Sequence, residues 1–267
     1  MKNGSFPALQ FGQADTVPAI SFIPVTFSEE INSQTNLAEA IWNSLPHRLQ
    51  PGDILTVTHK ALSKGEGCCV DLRTVTPSER AKELALKHGK DARLAEVILR
   101  QSQDIVRAER GIIICRTHHG FVCANAGVDQ SNSRPYTVIT LPPDPDASAQ
   151  RLALALERLS GFPVPVIICD SFGRAWRQGI VNVAIGIAGI APFTDYRGQR
   201  DPSGYELRAT LMATADAIAA GAELAMGKFN RTPAVIVRGV SWTPGDAGAA
   251  AIPYPPDRDL FAGQGQQ

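Results

Sequence analysis

Apolar residues gather in short runs separated by longer polar or mixed stretches. The runs are ILTVT (54–58), IIIC (112–115), YTVITL (136–141), VPVIIC (164–169) and AVIVR (234–238). Each is short and rich in β-branched residues, which predicts buried strands. Between them the apolar spacing lengthens to that of helices. In TPSERAKELALKHG (76–89), Thr76 suits the N-cap, Pro77 the first turn, Glu79 a capping box and Gly89 the stop. The helical pattern continues through DARLAEVILRQSQDIVRAERG (91–111), with Leu94, Val97 and Ile98 on one face. Asp146 is placed to cap ASAQRLALALERLSG (147–161), which Gly161 would end. The longest predicted helix is YELRATLMATADAIAAGAELAMG (205–227), whose alanines favour close packing.

Strands and helices alternate only loosely, and two helical stretches fall together before residue 111. The expected class is therefore α+β, or mixed α/β, and not a plain doubly wound sheet. The first twenty residues and the Pro- and Gly-rich tail from about Thr243 read as loops or partly disordered segments.

Charge adds an exclusion. The chain has 267 residues, with 26 basic against 26 acidic side chains, so no global field recruits nucleic acid or an anionic membrane. The five cysteines are odd in number, sit mostly in apolar runs and form no C-x-x-C, which predicts reduced thiols and argues against a zinc cage. No run approaches membrane-spanning length and MKNGSFPALQFGQA lacks the apolar core of a signal peptide, so the expectation is a cytoplasmic protein.

Familiar nucleotide loops are missing: there is no G-x-G-x-x-G and no Walker A motif, GAELAMGK (221–228) being only a near miss. Three other stretches carry candidate chemistry. In THKALSKGEG (58–67), Lys60, Ser63 and Lys64 follow a strand and suit phosphate oxygens, the alternative being two solvated lysines in a Gly-containing loop. In HHGFVCANAGVDQSN (118–132), Asn125, Asp129, Ser131 and Asn132 supply oxygens for a hard cation, the alternative for Asp129 being a local turn. His118 and His119 are neighbours on a predicted strand, so they point to opposite faces and do not chelate one ion. In DSFGRAWRQG (170–179), Asp170 and Ser171 stand where an apolar strand ends, as a ligand pair for a divalent ion, or else as an Asx-turn. Arg174 and Arg177 are three apart and would share a face of a helical turn, able to grip a carboxylate or phosphate. Downstream, Gly179, Gly186 and Gly189 permit close backbone approach, and Asp195, Arg197, Arg200 and Asp201 form a polar patch that is either a substrate loop or solvated surface.

Taken in order, GDILTVTHKALSKGEG, TPSERAKELALKHGKDARLAEVIL, GFVCANAGVDQSN, LPPDPDASA, DSFGRAWRQG, AIGIAGI, YELRAT, ELAMGK and PAVIVRG resemble the coenzyme F420-0:L-glutamate ligase (F420 γ-glutamyl ligase) family over about residues 23 to 239. The resemblance implies a two-lobed α+β subunit, with residues 1–243 as one catalytic unit of intertwined lobes and 244–267 as a tail. It further implies a homodimer that uses GTP with Mg²⁺ or Mn²⁺ and K⁺. The implied reaction phosphorylates an acceptor carboxylate, that of F420-0, and lets the amine of L-glutamate displace phosphate to form an amide. By position, Asp129, Asp170 and Ser171 would hold metal, Ser171 standing where the family usually has Thr. Ile31, His59, Lys60, Lys64, Asn132, Gly227 and Lys228 would meet the nucleotide, and Arg174 and Arg177 would steady the transferred phosphoryl group or a substrate carboxylate. Two departures stand out. Where members often carry Leu-Pro-x-Ile, this chain has Ser28-Glu29-Glu30-Ile31; and where some carry an acidic ligand after Met-Gly, it has Lys228. A different carboxylate acceptor, a nucleotide other than GTP, and a non-catalytic nucleotide-binding relative are the competing expectations.

Overall fold

The computed structural model describes residues 19–255 and 258–259. Its first part runs β1 (Ser21–Val25), α1 (Leu37–Asn43), β2 (Ile54–Thr58), α2 (His59–Gly65), β3 (Cys69–Asp71), α3 (Glu79–His88), α4 (Ala92–Arg100), β4 (Ser102–Glu109), β5 (Ile112–Thr117), β6 (Val122–Ala124) and β7 (Thr137–Ile139). There follow α5 (Pro145–Ser160), β8 (Val166–Arg174), β9 (Arg177–Ala188), β10 (Thr194–Asp195), β11 (Leu211–Met212), α6 (Thr214–Met226) and β12 (Ala234–Arg238). The class is α+β.

Two apolar clusters organise these elements. The larger surrounds a five-stranded sheet in the order β1-β12-β2-β8-β9, where only β2 and β8 run parallel. Strands β2, β12 and the first half of β8 are continuous apolar runs because both of their faces are covered: Leu55, Val57, Ile167, Ile168, Val235 and Val237 are fully buried. The smaller cluster joins Leu72, Leu94, Val97, Ile98, Ile113, Cys115 and Val138, between α4, the antiparallel sheet β4-β5-β6 and the pair β3–β7. Its members all come from the stretch between α2 and α5.

One polar pair crosses the main sheet's edge. Asp53, at 1% exposure, receives Arg238 Nε and Nη2 at 2.7 Å each, a two-point contact between the start of β2 and the end of β12.

Several expected boundaries shift for physical reasons. Ser78, not Thr76, caps α3, its hydroxyl accepting the Ala81 N–H. Glu79 does not complete a capping box; the carboxylate that returns to the cap is Glu96 of α4, whose Oε2 accepts from Ser78 N at 2.9 Å and Ser78 Oγ at 2.7 Å. Asp144 caps α5, and Asp146 turns outward to accept the N–H groups of Ile187 and Ala249 at 2.8 Å each. That carboxylate ties the tail to β9; residues 243–255 are largely irregular, as expected, but Ala249 is buried and Ile252 packs on the main cluster. The helical pattern of 91–111 is helix only to Arg100; Ile105 and its neighbours pair with β5 as a strand. Likewise α6 begins only at Thr214, because Leu211 and Met212 pair with Thr194 and Asp195, which leaves α5 as the longest helix.

The Glu96 clamp carries a pH signature. Hydrogen bonds from the Ser78 hydroxyl and backbone N–H, then from Arg100, hold its carboxyl at about 2. An unfolded glutamate titrates near ~4.3, so this stabilisation is present above that pH and is lost as pH falls through about 2. Solvent screens part of it. Glu96→Gln should lower the melting temperature at pH 7 by roughly 2–4 °C, as loss of about 1 kcal/mol would in a chain of this size. The gap to wild type should close as pH drops from 4 toward 2, read by calorimetry across pH.

Candidate active site

The parallel pair β2–β8 sets the geometry. Thr58, the last residue of β2, stands opposite Cys169 in the middle of β8, so His59 at the start of α2 lies beside Asp170, which stays in the sheet paired with Val183 of β9. Ligands in α/β sheets gather at the carboxyl ends of strands, and here a cleft of about 620 Å³ opens at the end of β2. Its walls come from residues 27–31, the start of α2, residues 132–134, the middle of β8 and residues 226–233 after α6. Five basic side chains (Lys60, Lys64, Arg134, Lys228, Arg231) and three acidic ones (Glu29, Glu30, Asp170) line it.

Asp170 stands on the floor with its side chain 13% exposed. Its Oδ1 accepts the Ser171 N–H at 2.7 Å and lies 3.3 Å from Nε2 of His59. The His59 contact is close enough for a charge interaction yet not aligned as a hydrogen bond, and Nε2 has no other partner. His59 lines the cleft but is 1% exposed, with Nδ1 beside Ser63 Oγ at 3.4 Å, so its ring supports Asp170 from below. Ser63 is wholly buried by that contact and is not available to phosphate, contrary to the expectation.

Ser171 belongs to a second network. Its hydroxyl donates to Asn182 Oδ1 at 2.6 Å and accepts from Lys228 Nζ at 2.9 Å. Lys228 also donates to Glu223 Oε1 at 2.7 Å, while Glu223 Oε2 accepts the Asn182 N–H at 2.8 Å. Asn182 is buried, and its amide reaches the sulfurs of Cys169 and Met226 at 3.4 and 3.5 Å. Burial pushes the Cys169 thiol well above its ordinary range, which keeps it protonated.

Lys60 and Lys64 sit in the first and last turns of the short helix α2, not in a Gly-containing loop, and being four apart they share a face. Lys60 Nζ reaches Asp129 Oδ2 and Ser131 Oγ at 2.6 Å each. Burial alone would raise the Asp129 carboxyl, but the Lys60 ammonium and the Ser131 N–H outweigh it and hold it low. Asp129 therefore stands behind Lys60, next to the cleft but not among its lining residues. Lys64 pairs with Glu30 at 3.3 Å.

Of the other expected residues, Ile31, Asn132, Gly227 and Lys228 line the cleft. Arg174 and Arg177 do not. The stretch expected as a helical turn is the tip of the β8–β9 hairpin, where these two residues pair across Ala175-Trp176 and are exposed outside the lining. The 195–201 patch is also remote from the lining, with Arg197 folded onto Asp195 at 2.6 Å. His118 and His119 bond separate backbone carbonyls, of Arg100 and of Pro142 and Pro143. Asn125 Oδ1 is buried without a partner, away from the cleft. Sequence reasoning missed Phe27, Arg134, Arg231, Asn182 and Glu223. Only Asn182 left a trace, as one polar residue within the apolar run IVNVAIGIAG.

The donor set can be tested against a divalent ion. Among the described residues no group of three or more His, Cys, Asp and Glu is placed to hold a metal. Asp170 fits as a hard-cation ligand, since both its described contacts fall on Oδ1. Asp129 fits once Lys60 lets go, and Ser171 does not fit while Lys228 and Asn182 use its hydroxyl.

A two-cluster α+β protein with a charged cleft beside a parallel strand pair is the class these features define. The chain belongs to the F420-0:gamma-glutamyl ligase family, whose model matches residues 27–239. It is 44% identical over 250 residues to the coenzyme F420:L-glutamate ligase of Methanopyrus kandleri, covering 92% of this chain and 98% of that one. The enzyme of the same name from Methanothermobacter thermautotrophicus is 41% identical, over 80% of this chain and 86% of its own. That from Methanocaldococcus jannaschii is 40% identical, over 85% and 90%. No helix among the described residues is long and apolar enough to cross a membrane.

Proposed function

We propose that this chain is a GTP-dependent ligase that joins L-glutamate to a carboxylate acceptor, F420-0, through an acyl phosphate. The carrying observation is the cleft itself: five ammonium and guanidinium groups line it together with the Asp170 carboxylate, where β2 ends beside the middle of β8. A triphosphate needs that excess of fixed cations, and a cleft of about 620 Å³ is of the size that takes a nucleotide or cofactor. The family's description names F420-0 and the relatives' shared name names coenzyme F420, which supports F420-0 over another acceptor.

In this reading Lys60, Lys64 and Lys228 draw the phosphate chain down to the sheet edge, each as a point charge. An acceptor carboxylate oxygen attacks the γ-phosphorus and GDP leaves. The glutamate amine then attacks the acyl carbon; the C–N bond forms, the C–O bond to phosphate breaks and the amine loses a proton. Asp170 would hold Mg²⁺ or Mn²⁺, which together with K⁺ would supply charge that offsets the phosphoryl oxygens. The fixed cations need no reorganisation as charge shifts, which is the source of rate enhancement. A homodimer working in the cytoplasm completes the proposal.

The test is mass spectrometry of product after incubating the protein with F420-0, glutamate, GTP and Mn²⁺. The expected product is heavier by one or more glutamyl residues, formed with stoichiometric GDP. No mass gain with F420-0, but gain with another carboxylate, would move the acceptor and keep the ligase. No product with any acceptor would defeat the ligase reading.

A further inference from the structure

Lys228 is the cleft's least ordinary cation. Its ammonium sits between a serine hydroxyl and a carboxylate, 2.9 Å from Ser171 Oγ and 2.7 Å from Glu223 Oε1. Hydroxyl and carboxylate oxygens converging on one point are the donors that a hard divalent ion seeks. Both are fixed before any ligand arrives: Glu223 by the Asn182 N–H at 2.8 Å, Ser171 by the Asn182 side chain at 2.6 Å. Asn182 is itself buried, so the frame does not drift. Lys228 lies five positions beyond Glu223 at the end of the same helix, past Gly227, whose φ is +60°. That short tether keeps the ammonium at this corner, half exposed on its cleft side.

We propose that Lys228 is a built-in cation that takes the place of a divalent ion at Ser171 and Glu223, leaving Asp170 as the divalent position on the cleft floor. The inference rests on reading the cleft as a phosphate and metal site. The tethered ammonium neutralises Glu223 and turns a half-exposed N–H donor toward phosphate oxygens without binding an ion from solution. A second divalent ion is excluded there by like charge and because the ammonium already occupies the point on which the Ser171 and Glu223 oxygens converge. One consequence is that the protein takes up fewer divalent ions than its oxygen donors would allow.

The experiment counts Mn²⁺ bound per chain, by electron paramagnetic resonance of the free ion, on the full chain without nucleotide. Lys228→Gln frees Glu223 and Ser171 and should bind one more Mn²⁺ per chain than wild type. Lys228→Arg, which keeps the charge, should match wild type. Lys228 is about half exposed, so both variants should fold, with melting temperatures close to wild type as a check. An unchanged Mn²⁺ count in Lys228→Gln overturns the inference, as does a Lys228→Arg protein that gains the same ion. Adding GTP afterwards separates the two claims. If GTP leaves Mn²⁺ binding unaltered in every variant, the nucleotide reading of the cleft fails, while the count without GTP still decides the role of Lys228.

Discussion

Asp170→Asn should lower kcat/KM for glutamate addition by about a hundred- to a thousand-fold, while the melting temperature stays within roughly 2 °C of wild type. The substitution keeps the shape and removes one charge. Its retained carbonyl can still accept the Ser171 N–H that Asp170 Oδ1 now receives at 2.7 Å. What disappears is the only carboxylate described on the cleft floor between β2 and β8, with its side chain 13% exposed and backed by His59 at 3.3 Å. The expected loss is about 3–4 kcal/mol of transition-state stabilisation, the scale on which removal of one preorganised electrostatic group registers. Because the group acts on charge that develops during phosphoryl and acyl transfer, kcat should fall more than KM rises. Steady-state kinetics with F420-0, GTP and glutamate, together with calorimetry, would decide it. Turnover near wild type would remove Asp170 from the chemistry and, with it, the assignment of this cleft.

How much of this was legible in the chain depended on how local the cause was. The strands ILTVT and AVIVR are read at the limits the structure gives them, because runs buried on both faces need no partner to be recognised. The strand VPVIIC was legible, but its continuation through Asp170 to Arg174 was not. That stretch is a strand only because residues 177–183 lie beside it, and polar residues on a hairpin carry no period of their own. The same limit misplaced Arg174 and Arg177: a spacing of three serves a helical face and a hairpin tip alike, and only long-range pairing chooses. It also let a helix run on through Ile105, whose pairing to Cys115 overrides local propensity.

The site divides in the same way. Ile31, His59, Lys60, Lys64, Asn132, Asp170, Ser171, Gly227 and Lys228 all line the cleft, and most were marked by motifs that end strands or helices. The groups that hold those residues in place were silent. Glu223 is one acid in an alanine-rich helix, and nothing in the sequence says that it bridges Lys228 to the backbone of β9. Edge protection is a tertiary need: the outer N–H groups of Asn182 and Ala184 on β9 are met by the Glu223 and Asp216 carboxylates at 2.8 and 2.9 Å. Spacing of 7 along α6 puts both acids on the face that reaches that edge. Their cost is visible in Asp216, whose carboxyl is pushed up by burial despite the N–H that it accepts.

On the same strand, Gly186 has no room for a side chain. A Cβ there would lie 2.5 Å from the Pro145 carbonyl oxygen and 2.7 Å from its carbon. Those are backbone atoms at the first turn of α5, so no side chain can rotate away. The turn itself is held twice, by the Asp144 cap on Ala147 N at 2.9 Å and by Asp146 on Ile187 N at 2.8 Å. Relief would require α5 to lift from β9, exposing the face of α5 on which Ala149 and Leu152 are buried. Gly186→Ala should therefore destabilise by about 3–4 kcal/mol, at or above the upper end of ordinary overpacking, and lower the melting temperature by roughly 6–16 °C. Gly173, near the hairpin tip, is the control. Nothing lies within 4 Å of its Cβ position and its backbone is not left-handed, so Gly173→Ala should melt within about 2 °C of wild type. The pair separates a steric cause from the general effect of adding a methyl group to a strand. If both variants melt like wild type, α5 does not pack on β9 as closely as the structure places it; if both fall equally, loss of glycine as such, not Pro145, is responsible.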